Sequence, residues 1–341
     1  MNPRFQNAIN RIAQATPPIW CMRQAGRYHS HYQELRRRHS FIELCRTPEL
    51  AAEVALGPIG DFDFDVAILF SDILFPLDAL GMGLSFPENG GPRLSWYLNE
   101  DTILKLGDPN EVLEELLFQR EAVSLTRASL ASDKSLIGFV GGPFTLFAYA
   151  VEGTHKKGLA RTIQLLNLYQ AFEAKILPLL SENIKIQLEG GAELVMIFDT
   201  AAGGLSPSLF HKIVLPALRY LSESVGGRIG YYSKALKHEH LDCEDFRMLD
   251  MKGFGVDSSW DLKDAFKIRK QGFVQGNMNE VFLNEKPDIF QKELESFITS
   301  IRSLDVSERR GWVCSLGHGI LPSAREENVR NFVREIRAAF S

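Results

Sequence analysis

Residues 66–71 read VAILFS and are followed at once by the acidic residue Asp72. The run is short and apolar, which is typical of a strand buried inside a sheet. An amphipathic stretch at Pro48–Gly60 precedes it, another at Asn110–Ser132 follows it, and both have helical spacing. A strand between two helices is the unit from which parallel α/β sheets are built, so this segment decides the fold class.

The alternation of strand and helix patterns continues to the end of the chain. Further strands are predicted at Leu136–Val140, Glu193–Phe198, Arg228–Tyr232, Gly253–Val256, Gly272–Gln275 and Gly311–Leu316. Further helices are predicted at Lys157–Glu189, Ser206–Ser224, Leu262–Gln271, Lys286–Ser303 and Glu326–Phe340. With an eighth strand near Pro18–Met22, the pattern predicts a closed (β/α)8 barrel of the TIM type, and an open doubly wound sheet is the alternative. No low-complexity linker divides the chain, so residues 1–341 are expected to form one domain.

The composition is that of a globular protein with a large core, since 45% of the residues are hydrophobic and 24% are charged. The first twenty residues contain no continuous apolar stretch, so no secretory signal is expected. No window approaches the about 18 apolar residues that a membrane span requires. The cysteines at positions 21, 45, 243 and 314 are scattered without CxxC spacing, which favours a reduced, cytoplasmic location.

The net charge of −5 argues against a nucleic-acid or membrane surface, but it conceals a basic segment. Between residues 23 and 46 the chain has six arginines and two glutamates, and no lysine comes before Lys105. A guanidinium can bind a carboxylate through two parallel hydrogen bonds, which lysine cannot do. Arg36–Arg38 fit a solvated helix face, whereas Arg23 and Arg27, on either side of Gly26, are candidates for binding an acidic ligand.

Polar or glycine-rich residues follow one predicted strand after another. They are Asp72, Gly141–Gly142–Pro143, Asp199–Thr200, Gly276–Asn277 and Gly317–His318–Gly319. Because the carboxyl ends of barrel strands meet at one mouth, these five groups predict a cleft lined for a ligand. Each residue also has an ordinary explanation. Asp72 and Thr200 suit helix caps, Tyr149 in FTLFAYAVEG suits the core, and His318 suits a turn.

Other chemical classes find little support in the sequence. The group His238, Glu239, His240, Asp242 and Cys243 is contiguous, a spacing that fits no usual zinc site, so a solvated loop is expected there. The chain has no GxGxxG after a strand, no glycine-rich phosphate loop and no GxSxG elbow. These absences remove the commonest nucleotide-binding and hydrolase interpretations.

Longer motifs resemble those of the uroporphyrinogen decarboxylase family. In order, they are MRQAGRY at 22–28, FIELCRTPELAAEVALGPI, AILFSDILFPLDALGM, GFVGGPFTLFAYAVEG, IFDTAAGGLSPSLF, LPALRYL, FVQGNMN and SLGHGILPSAREENV. The resemblance covers about residues 3 to 338. It departs at Ser258–Ser259–Trp260, where the family usually has Trp-Thr, and over Gly230–Glu244. These departures put the shape of the local loops in doubt.

The resemblance implies a single-domain (β/α)8 barrel, usually a homodimer, with its cleft at the carboxyl ends of the strands. It implies decarboxylation of the four acetate arms of uroporphyrinogen III to methyl groups, giving coproporphyrinogen III in haem biosynthesis. No metal or organic cofactor is implied, because a protonated pyrrole can itself accept the electrons left by departing CO2. The implied substrate-binding positions are Arg23, Gln24, Ala25, Gly26, Arg27, Asp72, Tyr149, Thr200 and His318.

Asp72 and Arg23 are the catalytic candidates within that set. An ionised carboxylate has about four lone-pair directions, which would match the four N–H groups of a domed tetrapyrrole. Arg23 and Arg27 would bind the substrate carboxylates, and the remaining polar side chains would donate hydrogen bonds. Two other classes stay open. One is a corrinoid-dependent methyltransferase of the related barrel superfamily, and the other is a non-catalytic tetrapyrrole carrier.

Overall fold

The computed structural model describes residues 1–87, 90–154 and 158–341. Its main sheet is curled, and the strands within it are all parallel and adjacent in chain order. They are β1 Val66–Ile68, β4 Ser135–Gly141, β5 Val195–Phe198, β6 Ile229–Tyr232, β7 Gly253–Gly255, β8 Phe273–Met278 and β9 Trp312–Leu316. Two further strands, β2 Leu84–Ser85 and β3 Arg93–Leu94, form a small antiparallel pair. The α/β class and the parallel sheet agree with the sequence prediction.

The α-helices of the described residues mostly lie between these strands. They are α1 Pro3–Ile9, α2 Ser30–Arg38, α3 Phe41–Arg46, α4 Pro48–Phe62, α5 Phe75–Leu77, α6 Leu117–Ser129, α7 Pro143–Glu152, α8 Ala160–Gln164, α9 Tyr169–Glu189, α10 Pro207–Ser224, α11 His238–Leu241, α12 Glu244–Met248, α13 Leu262–Ile268, α14 Pro287–Arg302 and α15 Glu326–Ala339. Short 3₁₀ turns lie at Ile103–Lys105, Leu113–Leu116, Leu166–Leu168, Ala202–Gly204 and Glu280–Asn284, and a π-turn lies at Asp78–Met82. Within the described parts of the chain, none of these helices has the length and apolarity needed to cross a bilayer.

Helices cover the sheet so that the strands are buried on both faces. Helix α4 packs against α6 and β1, and α9 packs against β4 and β5. The core of β5, Val195–Ile197, is fully buried, as expected for a parallel strand with a continuous apolar sequence. Side chains of alternate residues therefore enter two different apolar layers, one under the helices and one inside the curled sheet.

A short segment ahead of α2 lies between the two edge strands of the sheet. Ile19 forms a parallel bridge with Cys314 of β9, and the Cys314 N–H donates to the Pro18 carbonyl oxygen at 2.9 Å. On its other side, the Ile19 carbonyl oxygen accepts a hydrogen bond from the Asp65 N–H at 2.9 Å. In place of the predicted eighth strand near Pro18–Met22, the structure has this isolated bridge, which gives backbone partners to both edges of the seven-stranded sheet.

Four predictions of local structure were wrong at their boundaries. Gly276 and Asn277 do not follow a strand, because β8 continues through both and pairs them with β9 as far as Met278. The helix predicted at Lys157–Glu189 begins at a residue outside the described ones, and its described part is divided into α8 and α9. The long helix predicted from residue 110 begins only at α6, after a 3₁₀ turn. The loop predicted at residues 238–243 contains α11, because His240 is buried and bonds the backbone on both sides.

Candidate active site

The turn between Cys21 and Tyr28 is fixed to the first residue of β1 by a glutamine. Gln24 is buried, and its side-chain Nε2 donates to the Val66 carbonyl oxygen at 3.0 Å. Its Oε1 accepts from the Cys21 N–H at 3.2 Å, and its carbonyl oxygen accepts from the Tyr28 hydroxyl at 2.6 Å. These bonds leave the two arginines of the turn, Arg23 and Arg27, exposed at the mouth of the sheet. The Gln24 amide is therefore occupied within the fold.

Arg23 has an unusual backbone conformation and rests on a glycine. Its φ of 58° lies in the left-handed region, which costs a non-glycine residue free energy and is concentrated at functional sites. A β-carbon built on Gly319 would lie 2.6 Å from Arg23 Cδ, so a side chain at this position would force the arginine to shift. The Ile320 N–H also donates to the Met22 carbonyl oxygen at 2.9 Å. The loop after β9 thus supports the arginine turn.

Asp72 stands four residues beyond β1 at the turn that leads into α5. Its Oδ1 accepts a hydrogen bond from the Leu74 N–H at 2.9 Å. Leu74, not Asp72, is the N-cap of α5, so Asp72 does not cap that helix. Burial raises the pKa of Asp72 to about 6, and the Leu74 N–H and the nearby Arg23 oppose that rise. The carboxyl is therefore largely ionised at neutral pH and sits in a poorly solvated position near a guanidinium.

Tyr149, on α7, belongs to the same group of side chains. Burial raises the pKa of its hydroxyl, the Asp72 charge raises it further, and the Arg23 charge lowers it. All three side chains are therefore within electrostatic reach of one another. The structure brings together a guanidinium, a carboxyl and a phenol from positions 23, 72 and 149 of the sequence.

His318 enters this region from the loop after β9. Its ring lies nearly parallel to the Tyr232 ring, at 13°, and its Nδ1 lies 3.2 Å from the Tyr232 hydroxyl oxygen. Burial raises the pKa of Tyr232, Asp257 and Glu280 raise it further, and Arg23 lowers it. Arg23 is thus the residue that links the Asp72 side of the site to the His318 side.

Thr200 follows β5 and is partly exposed next to the buried Asp199. Asp199 Oδ1 accepts hydrogen bonds from the Thr145 N–H at 2.7 Å and the Thr145 hydroxyl at 2.6 Å, which ties the residue after β5 to the first turn of α7. Burial raises the pKa of Asp199 to about 6. Among the contacts of the described residues, none joins Thr200 or Arg27 directly to the Asp72 group. Ala25 and Gly26 complete the turn between the two arginines, where the Gly26 carbonyl oxygen accepts from the His29 N–H at 2.9 Å.

The side chains of residues 238–243, which resemble a set of metal ligands in the sequence, make other contacts in the structure. Where the chain is described, no three His, Cys, Asp or Glu side chains are grouped so that they could hold an ion. In the segment 238–243, His240 Nε2 meets the Leu205 carbonyl oxygen at 3.0 Å, and the His238 ring stacks on Trp260. Trp260 Nε1 in turn donates to the Leu236 carbonyl oxygen at 2.8 Å. This is the sequence region that departs from the family pattern, and its polar groups stabilise the loops after β6 and β7.

The chain matches a known family, and known proteins of that family, over nearly its whole length. The family model described as uroporphyrinogen decarboxylase (URO-D) matches residues 1–339. The chain belongs to the uroporphyrinogen decarboxylase family. A protein of that name from Geotalea daltonii is 34% identical, with 98% of this chain and 97% of the relative covered. Another from Idiomarina loihiensis is 34% identical, with 98% and 95% covered. The family predicted from the sequence motifs is confirmed.

Solved structures of other enzymes share the fold. A methyltransferase from Methanosarcina mazei superposes with a TM-score of 0.77 at 19% identity, covering 99% of this chain and 98% of its own. A B12-independent methionine synthase from Shewanella superposes with a TM-score of 0.52 at 11% identity, covering 86% of each chain. At such low identity these likenesses establish a common fold for this member of the uroporphyrinogen decarboxylase family and nothing about its reaction.

Sequence reasoning missed two residues of the site in this uroporphyrinogen decarboxylase family member. Tyr232 is the last residue of an apolar strand. The sequence of that strand does not indicate that the Tyr232 hydroxyl lies next to His318. The role of Gly319 as the support of Arg23 was also missed, although the Gly-His-Gly pattern had marked the loop. Contacts across the sheet decide both roles, and a single sequence does not display such contacts.

Proposed function

We propose that this protein is a uroporphyrinogen decarboxylase, a carboxy-lyase that converts the acetate arms of uroporphyrinogen III to methyl groups without a cofactor. The observation that carries the proposal is the partly buried Asp72 carboxyl, held within electrostatic reach of Arg23 and Tyr149. Membership of the family supports the activity, and the site supplies groups that suit an acidic, N–H-rich substrate.

The chemistry begins in the substrate. A proton added to the α-carbon of a pyrrole leaves a cation conjugated with the acetate-bearing carbon. The bond to the carboxylate breaks, CO2 departs, and its electron pair neutralises the cation. A second proton added at the exocyclic carbon and loss of the first from the ring give the methyl group. Each cycle replaces one CO2 by one proton.

Asp72 would stabilise the positive charge of that intermediate. Its ionised carboxylate can accept hydrogen bonds from pyrrole N–H groups, and one oxygen is already oriented by the Leu74 N–H. Because the carboxyl is largely removed from water, its attraction for the developing cation is greater than in solution. The interaction is strongest when the charge on the ring is fullest, which is the condition for catalysis.

Arg23 would hold the reacting acetate from the opposite side of the ring, and Arg27 would bind a more distant carboxylate. A guanidinium is a poor acid, with an ordinary pKa above about 12, so we assign Arg23 to binding and orientation. Tyr149, Thr200 and His318 would donate hydrogen bonds to the other carboxylates. Gln24, together with Ala25 and Gly26, would act by fixing the shape of the arginine turn.

We extend the proposal to the architecture and setting of the enzyme. The bridge made by Ile19 supports a closed (β/α)8 barrel in which Pro18–Met22 takes the eighth place. The continuous parallel order of the strands supports one domain over residues 1–341. A homodimer is the state that the family resemblance implies, and the scattered cysteines favour the cytoplasm. Size-exclusion chromatography with light scattering would test the dimer.

The activity is tested by incubating purified, metal-stripped protein anaerobically with uroporphyrinogen III and counting carboxyl groups on the oxidised products. Stepwise loss from eight carboxyls to four is expected. Folded protein that leaves all eight in place would overturn the proposal. Restoration of a methyl-transfer reaction by zinc and a corrinoid would favour the methyltransferase alternative, and tight binding of the unchanged substrate would favour a carrier.

A further inference from the structure

Thr145 makes hydrogen bonds to the chain on both sides of Thr200. It is fully buried in the first turn of α7. Its N–H and its hydroxyl oxygen lie 2.7 Å and 2.6 Å from Asp199 Oδ1. The Ala201 N–H lies 2.9 Å from the same hydroxyl oxygen. Because Thr200 is the residue between Asp199 and Ala201, one side chain of α7 holds both of its neighbours.

The number of protons fixes the direction of each of these bonds. A threonine hydroxyl has one proton and can also accept, whereas a backbone N–H can only donate. The Ala201 N–H therefore donates to the Thr145 hydroxyl oxygen, and the hydroxyl proton lies in the bond to Asp199 Oδ1. That carboxylate oxygen accepts from the Thr145 N–H as well. Removal of the hydroxyl alone would leave the buried Ala201 N–H without this acceptor.

The backbone around these bonds is closely packed. Gly142 lies just before α7, and a β-carbon built on it would lie 2.2 Å from Asp199 Cβ. The Gly142 N–H donates to the Phe198 carbonyl oxygen at 2.8 Å, and the Asp199 N–H donates to the Tyr232 carbonyl oxygen at 2.8 Å. The start of α7 and the end of β5 are therefore fixed to each other. Thr200 is the next residue along the chain, at the mouth of the sheet.

We infer that Thr145 is a positioning residue, which holds Thr200 in the orientation that binds a carboxylate of the substrate. The inference rests on the proposed function, in which the Thr200 hydroxyl donates a hydrogen bond to such a carboxylate. Thr145 is itself fully buried, so it acts through Thr200. A hydroxyl on a fixed turn loses less conformational freedom on binding than one on a mobile turn, so its hydrogen bond contributes more to affinity.

The variant Thr145→Val separates the hydroxyl from the shape of the side chain. It keeps the branched β-carbon and the N–H that bonds Asp199, and it removes both bonds of the hydroxyl. Thr145→Ser is the conservative variant, because it keeps the hydroxyl. The matched control is Thr126→Val, since Thr126 is equally buried and its hydroxyl donates to the Ala122 carbonyl oxygen of its own helix, α6, at 2.7 Å.

The first experiment measures amide hydrogen exchange at Ala201 by NMR in the free protein. The amide should exchange slowly in the wild type, Thr145→Ser and Thr126→Val, and about tenfold faster or more in Thr145→Val, where its acceptor is lost. An unprotected Ala201 amide in the wild type would overturn the inference, and so would equal rates in all four proteins. The wild-type measurement requires neither turnover nor the folding of a variant.

The second experiment measures KM and kcat for uroporphyrinogen III. Thr200 is expected to bind the carboxylate equally before and during the reaction, so its displacement should raise KM and leave kcat nearly unchanged. In Thr145→Val the rise in KM should be about tenfold, the effect of one hydrogen bond to a charged group. Thr145→Ser and Thr126→Val should keep the wild-type KM. An unchanged KM in folded Thr145→Val would overturn the inference.

The third experiment repeats these measurements in a Thr200→Val background. If Thr145 acts through the Thr200 hydroxyl, Thr145→Val should raise KM by no more than about twofold once that hydroxyl is absent. The same tenfold rise in both backgrounds would show that Thr145 supports the fold in general, and would overturn the inference. Absence of turnover in the wild type would instead contradict the proposed function, while the exchange rates still decide whether Thr145 holds the Thr200 turn.

Discussion

The Arg23 side chain occupies the space that a β-carbon on Gly319 would take. A built β-carbon on Gly319 would lie 2.6 Å from Arg23 Cδ, closer than real β-carbons approach any atom. Arg23 itself has a left-handed φ of 58°. The loop after β9 and the turn before α2 therefore act as one unit that presents a guanidinium to the site.

Gly319→Ala should displace the arginine without removing it. The methyl group must push Cδ away by several tenths of an ångström, and misplacements of about 1 Å at a reacting group cost about 10²-fold in rate. We expect kcat/KM to fall by about 10- to 100-fold. Gly60→Ala is the control, since Gly60 lies on α4 and no atom is within 4 Å of its built β-carbon. Equal kinetics in the two variants would mean that the glycine does not position Arg23.

Arg23→Lys keeps the positive charge and removes the planar pair of donors. Loss of one charge-assisted hydrogen bond of about 1.5–3 kcal/mol should lower kcat/KM by about 10- to 100-fold. Arg37→Lys is the matched control, because Arg37 is exposed on α2 and pairs with Glu34 at the surface, at 2.7 Å. Steady-state kinetics on both proteins decide the point. An unchanged Arg23→Lys enzyme would contradict carboxylate binding by Arg23.

Asp72→Asn should lower turnover by about 10² to 10⁴, the range for losing a catalytic charge. The amide oxygen can still accept from the Leu74 N–H, so the turn into α5 is preserved. What is lost is the negative charge opposite the protonated pyrrole. Single-turnover measurements at neutral pH would separate this effect from product release. Near-normal turnover in the folded variant would remove Asp72 from the mechanism.

The same substitution should stabilise the folded protein at neutral pH. The pKa of Asp72 is about 6 in the fold against 3.8 ordinarily, so the folded state holds the proton more tightly than the unfolded state. The stability due to this group is fully present below about pH 4 and is lost as the pH rises through about 6. At pH 7.5, Asp72→Asn should increase the free energy of unfolding by about 1–3 kcal/mol. Urea denaturation at pH 7.5 and pH 4 tests this, and an equal gain at both would contradict the burial argument.

The sequence predicted the strands well because a parallel strand covered on both faces must be apolar throughout, as Val195–Phe198 is. It also predicted that Asp72, Thr200 and His318 would follow strand ends. It did not predict that β8 would run through Gly276 and Asn277, because pairing with β9 extends that strand beyond its apolar run. The position of the Tyr232 hydroxyl depends in the same way on a neighbour more than eighty residues later.

Helix boundaries were harder to predict for a related reason. Periodicity ran without interruption toward Glu189, yet the described chain breaks into α8 and α9, with a 3₁₀ turn at Leu166–Leu168 between them. The Glu152 carboxylate also accepts a hydrogen bond from the Thr162 N–H of α8 at 2.9 Å. The hydrogen bond of Asp199 at the site could not be predicted from local sequence either. Nothing local in FDT indicates that its carboxylate would bond Thr145, fifty-four residues earlier. Such tertiary hydrogen bonds override local propensity.

The dependence of activity on pH should distinguish the two buried carboxyls, since burial raises the pKa of both Asp72 and Asp199 to about 6. Protonation below that pH removes the charge that Asp72 offers the pyrrole cation, so kcat/KM should fall on the acid side with an apparent pKa near 6. Asp199→Asn keeps the acceptor for Thr145 and should retain this acid limb. The residual activity of Asp72→Asn should lack it. If the acid limb survives in Asp72→Asn and disappears in Asp199→Asn, the catalytic titration belongs to Asp199, after β5, and not to Asp72.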